Sequence, residues 1–497
     1  MAINYDILVY IMTFLRIVKR GSLFALMKTC RILYTAGAPY LLAGQVNFDG
    51  KPDQMESFNC FMHQNLALRG SFIRRIHLNV PDLWEDNIYE DSYDYQTDIL
   101  QRSSEVLKHC SRLQHLEILG SEDWLSMGRR LGPALASLVD VEYVMFGGKG
   151  DRTDGLLRIT NWPLKAMCIS FAYDDASDGD YKGDPRTLLR HVYDLKEVHV
   201  EWLDFGPEGE GETFPHLETF SVEFWGDIGM RPLLESFPKL RNLRIYAAVS
   251  ELQAMDEIRL VAIRHRNIQA QVSHRWSHLD YVEGELVAVY LLAPQCHIAH
   301  LNIPLPSDDD AQRYWFAVIG DARPIRLTFY VSFKNYQPII LQKLTPPSFP
   351  IPTTHLDLTL SMSFSPASME DVETNILDFL GSLSLTFLQV TLEWTPTPDS
   401  MRYFPRDIAE DRFAEYFDKL EPAAFASRLV RYTRTLQYII LGLPRCKDLL
   451  YWRVEQGGSG PTLVPMSKAE GQLMRERQMP KQKSELDRFD IFDVQPN

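Results

Sequence analysis

The residues best suited to metal chemistry lie in one short segment, Cys296-His297-x-x-His300. Thiolate and imidazole groups bind zinc, but a zinc site normally has four protein ligands, or three and a water molecule. The surrounding sequence implies no fourth ligand, and the two histidines lie beside an apolar strand pattern. We therefore interpret them as strand-edge residues and predict no metal site.

Two glycine-rich segments invite comparison with phosphate-binding and hydrolase motifs, and neither matches. Gly147-Gly148-Lys149-Gly150 lacks the Gly-Lys-Ser/Thr ending that holds nucleotide phosphates. Gly457-Gly458-Ser459-Gly460 is followed by Pro461, where the Gly-x-Ser-x-Gly nucleophile turn requires a glycine. Because no motif supplies a nucleophile, a base and an orienting group together, we predict a protein that is not an enzyme and uses no cofactor.

The composition is that of a soluble, folded and acidic protein. Of the 497 residues, 45% are apolar and 24% are charged, and the net charge is −15. A chain of this length holds about three globular domains or one long repeat array. Binding to nucleic-acid phosphates requires a basic surface, so we predict no nucleic-acid partner.

The cysteines and the apolar segments indicate an intracellular protein. Six cysteines are scattered along the chain without a Cys-x-x-Cys pair, which favours reduced, buried thiols over disulfides. The apolar segment 7–18 is interrupted by Arg16 and is too short to span a bilayer. We therefore predict localisation to the cytoplasm, the nucleus or both, without a membrane partner.

An apolar-x-x-apolar-x-apolar pattern recurs through most of the chain. Successive copies begin 22 to 31 residues apart in the most regular stretch. Repeats of roughly 20–29 residues with one short strand each are typical of leucine-rich-repeat solenoids, whose units bury their apolar edges against each other. The six most regular copies begin at Leu113, Val141, Leu164, Leu195, Leu217 and Leu240.

Weaker copies extend the array in both directions and define the predicted fold. They begin at Ile73, Ile298, Pro324, Thr353, Leu385 and Leu436. Helical runs end a few residues before several of these strands, which predicts inner parallel strands and outer helices. The predicted fold class is therefore α/β, with an irregular horseshoe-shaped solenoid over residues 47–453. The long gap between Leu240 and Ile298 leaves open a break into two stacked arrays near residues 250–295.

Residues 454–497 differ from the repeats in composition. The segment 457–461 is rich in glycine, Ser467–Arg477 has the composition of one charged helix, and few apolar residues follow Pro480. Such composition rarely buries enough surface to fold by itself. We predict a charged, partly disordered C-terminal tail.

Two motifs near the N-terminus predict short helices and resemble an F-box. They are Ile3-Asn4-x-Asp6-Ile7-Leu8-x-x-Ile11-x-x-Phe14-Leu15 and Leu23-x-x-Leu26-Met27-x-Thr29-Cys30-Arg31-x-Leu33-Tyr34. A three-helix domain over residues 1–46 that precedes repeats is similar to the order of parts in F-box/leucine-rich-repeat proteins, especially the divergent fungal forms. The sequence departs from that family at Ile3-Asn4, where F-boxes usually read Leu-Pro.

The resemblance implies the substrate-recognition subunit of a Skp-cullin-F-box-type ubiquitin ligase. Its N-terminal helices would bind a Skp-type adaptor and, through it, a cullin-RING ligase. The positions that carry over to the adaptor contact, or to the core beneath it, are Ile3, Asn4, Ile7, Ile11, Leu15, Leu23 and Leu26. The alternative is a helical cap for the repeats of an interaction scaffold that belongs to no ligase.

The strand positions between the core anchors predict a surface for an unknown protein target. Side chains alternate along a strand, so these positions point to the concave side. Their mixture of charged and aromatic groups suits protein recognition. The candidates are Arg75, His77, His115, Glu117, Tyr143, Glu197, His199, Glu223, Arg244 and Tyr246. Acidic segments at 82–98, 174–180 and 308–310 either form a rim for a basic target or are solvated loops.

Overall fold

The computed structural model describes most of the chain, and its residues form two compact units. The described residues are 5–18, 20–48, 51–79, 90–171, 195–203, 213–224, 228–247, 255–305, 311–333, 352–362, 369–394, 415–444, 446–458, 460–480 and 484. The first unit contains Met1–Leu203, Gly211–Leu217 and Ser484–Asn497, and the second contains Asp204–Glu210 and Glu218–Lys483. Each unit is described by itself below.

Three short helices begin the first unit, as the sequence predicts. They are α1 (Tyr5–Val18), α2 (Arg20–Met27) and α3 (Arg31–Leu42). Met12, Leu23, Met27 and Leu33 form their shared core and are at most 5% exposed. Since the helices are short, this small apolar cluster and its half-buried neighbours hold them together.

The rest of the first unit alternates strands with helices. Its strands are β1 (Gln45–Phe48), β2 (Arg75–Asn79), β3 (His115–Leu119), β4 (Tyr143–Lys149), β5 (Ala166–Phe171) and β6 (Glu197–Leu203). Its further helices are α4 (Pro52–His63), α5 (Leu66–Gly70), α6 (Glu90–Lys108), α7 (Ser121–Met127), α8 (Leu131–Ala136) and α9 (Asp151–Ile159). Each strand pairs in parallel with the next one along the chain.

The pairing register confirms the repeating pattern read from the sequence. Equivalent anchors lie side by side, so that Leu116 pairs with Val144 and Val144 with Met167. These three side chains are fully buried. Because a register shift of one residue would turn every anchor to the opposite face, the apolar pattern itself specifies this alignment.

The second unit continues the same alternation through eight parallel strands. They are β7 (Thr219–Phe224), β8 (Asn242–Ala247), β9 (His278–Gly284), β10 (His297–Leu305), β11 (Arg326–Phe333), β12 (His355–Met362), β13 (Phe387–Trp394) and β14 (Tyr438–Gly442). The helices between them are α10 (Met230–Ser236), α11 (Glu257–Ala270), α12 (Leu286–Leu292), α13 (Ala311–Ala322), α14 (Met369–Gly381) and α15 (Pro422–Tyr432).

A complete repeat occupies the gap that the sequence left undecided. Strand β9 pairs in parallel with both β8 and β10, so the strand ladder of the second unit is continuous from β8 to β10. The pattern is hard to see because Gly284 takes the third anchor position, after Leu279 and Val282. A Cβ at Gly284 would lie 2.0 Å from the carbonyl oxygen of Ile245, so the close approach of the two backbones requires glycine.

Buried amide side chains join successive repeats at positions that the pattern does not mark. In the second unit, Asn267 donates to the carbonyl oxygens of Ile228 and Leu291 and accepts from the backbone N–H of Met230. In the first unit, Asn59 donates to the carbonyl oxygen of Ile99. These bonds satisfy backbone groups that would otherwise be buried without partners.

The C-terminal part of the second unit differs from the predicted tail. Strands β15 (Leu450–Gly457) and β16 (Gly460–Pro465) add to β14 in antiparallel order, and α16 (Lys468–Gln478) follows. The glycine-rich segment lies where β15 and β16 meet, since Gly457 pairs with Gly460. The charged helix predicted for Ser467–Arg477 is present, and Ser467 and Glu470 form a capping box at its start.

Candidate binding surfaces

One face of helix α1 exposes apolar side chains instead of burying them. We define this outer face of α1 by Ile7, Tyr10, Ile11 and Phe14, which are 53%, 63%, 39% and 53% exposed. Their spacing of three and four residues places them side by side on the helix. The rings of Tyr10 and Phe14 meet edge to face with centroids 5.0 Å apart.

The opposite face of α1 forms the core of the helical domain. Leu8, Met12 and Leu15 pack against α2 and α3, and Met12 is fully buried. Helix α1 is therefore apolar on two faces, and its own domain covers one of them. Phe24 of α2 and Ile32 of α3 are also exposed, at 40% and 65%.

The structure divides the residues predicted for adaptor binding into three groups. Ile7 and Ile11 lie on the outer face of α1. Leu15 and Leu26 are half-buried beside the core, and Leu23 lies fully within it. Ile3 and Asn4 lie outside the described residues. The prediction missed Tyr10, although its spacing of four residues to Phe14 and three to Ile7 was visible in the sequence.

The predicted target residues of the first unit lie on one surface. We define the first inner face as the side chains of β2–β6 that point away from the buried anchors. The predicted residues lie in two of its rows in the pairing register, Arg75, His115, Tyr143, Ala166 and Glu197 in one, and His77, Glu117, Met145, Cys168 and His199 in the other. The five predicted residues that lie on β3–β6 are at most 8% exposed.

Neighbouring strands hold the polar groups of the first inner face together. Nδ1 of His77 lies 2.5 Å from the Glu117 carboxylate. The His115 and Tyr143 rings stack with centroids 4.4 Å apart. The surface is therefore organised before any partner binds, which lowers the cost of ordering its side chains on binding.

The middle of the first inner face is apolar. Tyr143, Ala166 and Cys168 form a buried cluster there. Burial raises the pKa of the Cys168 thiol, and the charges of Glu201 and Glu117 raise it further. Burial alone would also raise the pKa of Glu201, but hydrogen bonds from His199 and Ser170 lower it below its usual value of 4.5. Glu201 is therefore ionised at neutral pH, whereas Cys168 is an unreactive thiol.

Ser484, far along the chain, also reaches the first inner face. Its hydroxyl donates a hydrogen bond to the carboxylate of Glu197, and the two residues are 8% and 5% exposed. This contact joins residues 287 positions apart in the sequence. No repeat pattern could have indicated it.

The corresponding surface of the second unit centres on a carboxylate. We define the second inner face as the side chains of β7–β15 that point away from the anchors. Arg244 Nε lies 3.2 Å from the Glu283 carboxylate, and the Tyr281 hydroxyl donates to it at 3.0 Å. Asn302 donates to both Glu283 and Tyr281. Burial and the charge of Glu283 raise the pKa of Tyr281, which keeps its proton.

Of the predicted residues of the second unit, both Arg244 and Tyr246 belong to this network, since the Tyr246 side chain also forms a hydrogen bond with Glu283. Glu223 pairs with Tyr246 in the register and is half-buried. The prediction missed Glu283 and Tyr281, because the glycine at the third anchor hides strand β9.

His300 of the second inner face is held neutral. Burial lowers the pKa of His300 to about 4, and the charges of Arg326 and His355 act in the same direction. Its Nε2 lies 2.9 Å from the Thr328 hydroxyl. A neutral imidazole accepts or donates one hydrogen bond per nitrogen, so His300 contributes polarity without charge.

Helix α16 lies against the second inner face at its C-terminal end. Met474 and Met479 pack with Phe387 of β13, Ile440 of β14 and Tyr451 of β15. The sequence-based prediction of an open inner surface therefore does not hold for this part of the unit, which a segment of the same chain covers.

The residues first considered for metal binding do not converge. Cys296 is buried, which raises its pKa to about 11, while His297 is exposed and His300 faces Thr328. Within the described ranges, no group of three or more histidine, cysteine, aspartate or glutamate side chains is placed to hold a metal ion. In the same ranges, no helix combines the length and apolar character needed to cross a membrane.

The acidic segments named in the sequence lie largely outside the described residues. Residues 82–89, 174–180 and 308–310 are not described, and α6 begins at Glu90.

No protein-family model matches the chain, and no curated protein matches it significantly.

Proposed function

We propose that this protein is the non-catalytic substrate receptor of a Skp-cullin-F-box-type ubiquitin ligase. The outer face of α1 binds a Skp-type adaptor, and the inner faces of the strand ladders bind a protein target. Catalysis then comes from proximity, since the complex holds the target near the ubiquitin-charged enzyme.

The exposed apolar face of a small helical domain is the observation that carries the proposal. Ile7, Tyr10 and Phe14 are each more than half exposed, although a core of buried residues lies on the other side of the same helix. Clusters of exposed aromatic and aliphatic groups mark protein interfaces. The F-box-like motif in these helices and the repeats that follow them support the identity of the partner.

Co-purification with a Skp-type adaptor tests the proposal. The double variant Ile7→Asp/Phe14→Asp places two charges on the outer face of α1 and leaves the core residues unchanged. We expect the wild-type chain to recover the adaptor and the variant to lose at least about 90% of it, since buried unpaired charges cost several kcal/mol at an interface.

A matched control separates this loss from a general effect of added charge. Val139 is an apolar residue of the same unit with 63% exposure, and Val139→Asp should leave adaptor recovery unchanged. Absence of the adaptor from the wild-type eluate would contradict the ligase proposal. Equal recovery by the wild-type and Ile7→Asp/Phe14→Asp chains would contradict the outer face of α1 as the docking site.

An interaction scaffold without a ligase is the second candidate function. The organised network around Glu283 favours it, because that network is complete without any contribution from the N-terminal helices. In that case the strand faces still bind a target, and α1 contacts a partner other than a Skp-type adaptor. The adaptor experiment distinguishes the two functions.

A further inference from the structure

Helix α16 covers part of the second inner face with few buried side chains. Of its eleven residues, only Gly471 and Met474 are buried. In the core helix α12, by contrast, six of seven residues are buried. Because burial of apolar surface supplies most of the docking free energy, α16 is held much more weakly than a core helix.

Gly471 sets the distance between α16 and the strand ladder. A Cβ at this position would lie 2.2 Å from the ring of Tyr451, and a ring atom cannot move aside as a flexible chain end does. Glycine inside a helix costs about 1 kcal/mol relative to alanine. The close contact with Tyr451 gives a reason for a glycine there.

The C-terminal end of α16 is recognised by polar groups of the strands. Arg326 Nε donates to the backbone carbonyl oxygen of Gln478 at 2.8 Å. Nε2 of His355 lies 2.7 Å from the side-chain oxygen of Gln478, which places a donor against that oxygen. The last carbonyl groups of a helix lack partners within the helix and carry partial negative charge, so a cation at this point both bonds and stabilises them.

Two polar atoms beneath α16 have no hydrogen-bond partner in the described part of the chain. They are Oδ1 of Asp357 and Oε1 of Gln389, neighbours in the pairing register of β12 and β13. Burial raises the pKa of Asp357 to about 6, and the positive charge of Arg475 on α16 acts in the opposite direction. Since an unsatisfied buried acceptor costs about 1–3 kcal/mol, a ligand that donates to both atoms would bind better than α16 does.

We propose that this part of the second inner face is a helix-binding site and that α16 is its resident, displaceable ligand. The target presents a basic helical segment of the same chemistry: a small residue against Tyr451, a methionine-sized side chain against Phe387 and Ile440, and donors directed at Asp357 and Gln389. The inference rests on the proposed role of the inner faces in target binding. Target and α16 therefore compete for one surface.

Binding of a synthetic peptide to the intact protein tests the inference. The probe is a fluorescent peptide with the sequence of residues 466–480, added to full-length chains. Gly471→Ala and, separately, Met474→Asp in the protein should release the resident helix. If α16 occupies the site more than about 90% of the time, the apparent affinity of the wild-type protein for the peptide is reduced at least about tenfold. We therefore expect both variants to bind the peptide at least about tenfold more tightly than wild type.

The control variant is Leu473→Ala, next to Met474 on the exposed side of α16. Leu473 is 51% exposed, so its truncation should leave peptide affinity at the wild-type value. A peptide that carries Arg475→Glu should bind at least about fivefold more weakly than the native peptide, because it brings a carboxylate toward Asp357. Equal affinities for both peptides would overturn the proposed basic chemistry of the target.

Hydrogen exchange tests the inference in the wild-type chain, so its result does not depend on whether a variant folds. Backbone amides of α16 should exchange at least about tenfold faster than those of α12. Equal exchange of the two helices, or equal peptide affinities for wild type, Gly471→Ala and Met474→Asp, would overturn the inference. None of these measurements involves the adaptor, so failure of the ligase proposal would be seen separately.

Discussion

The outer face of α1 and the first inner face reverse the usual distribution of side chains. On α1, the apolar residues Ile7 and Tyr10 are 53% and 63% exposed, whereas the charged Glu197 of the inner face is 5% exposed. Glu117 and Glu197 of the inner face are buried because His77 on a neighbouring strand and Ser484 supply hydrogen bonds to them. On these two faces, burial follows the available partners rather than the residue type, and an exposed apolar patch of this kind is typical of interaction surfaces.

The two faces of α1 provide the strongest test of this comparison. Met12→Ala should lower the free energy of unfolding of the helical domain by about 2–5 kcal/mol, because Met12 is fully buried. Tyr10→Ala, two residues earlier and 63% exposed, should change it by no more than about 0.5 kcal/mol. Urea unfolding followed by circular dichroism measures both. Similar losses for the two variants would show that the outer face is part of the fold.

The network around Glu283 tests whether inner polar groups stabilise the fold. Glu283→Ala should cost about 1–3 kcal/mol, since it leaves Arg244 and Tyr281 without their acceptor. The control is Asp280→Ala on β9, which removes exposed contacts with Arg241 and His278 and should cost less than about 0.5 kcal/mol. Thermal and urea unfolding of both variants give the comparison. Equal costs would mean that the network contributes no more than a surface pair.

Asp357 is half-buried on the inner face, and its Oδ1 atom is buried without a hydrogen bond from any residue that the structure describes. Its pKa is raised from 3.8 to about 6, so the folded chain binds a proton more tightly than the unfolded chain between these values. Stability from this group is therefore greatest at low pH and falls as pH rises from about 4 to 6. Asp357→Asn should raise stability by about 1–2 kcal/mol at pH 7 and by little at pH 4. A stability difference that does not change with pH would contradict this assignment.

Cysteine labelling tests the same comparison without any substitution. Cys30 in the helical domain is exposed, whereas Cys168 on the first inner face is buried and has a raised pKa. A maleimide reagent at neutral pH should modify Cys30 in the native protein and Cys168 only after unfolding, because the reactive species is the thiolate. Peptide mapping by mass spectrometry identifies the labelled residues. Modification of Cys168 in the native state would contradict its burial.

The repeating pattern predicted much of the strand ladder, because its signal is local. Each copy of the apolar pattern predicts which side chains are buried. The anchors Ile298, Leu301 and Ile303 are all fully buried, as expected. The sequence left strand β9 undecided because Gly284 replaces an apolar anchor where two backbones meet closely. The sequence did not predict the antiparallel strands β15 and β16, because the glycine-rich composition between them suggested disorder.

The candidate surfaces were only partly predictable. The alternation of side chains placed His115, Glu117 and Arg244 on the correct face of their strands, and the structure brings each beside its neighbour in the register. The pattern could not show how deeply these groups are buried. It also could not separate the two apolar faces of α1, where Leu15 turns inward and Ile11 outward.

The sequence by itself determined the alternation of strands and helices, the parallel register and the side of each strand that joins the core. These properties follow from the spacing of apolar residues, which acts over a few positions and repeats along the chain. Only the tertiary structure decided what covers the other side. The contacts of Ser484 with Glu197, and of Gln478 with Arg326, join residues 287 and 152 positions apart. Such contacts depend on where distant segments meet in space, and no local pattern records that.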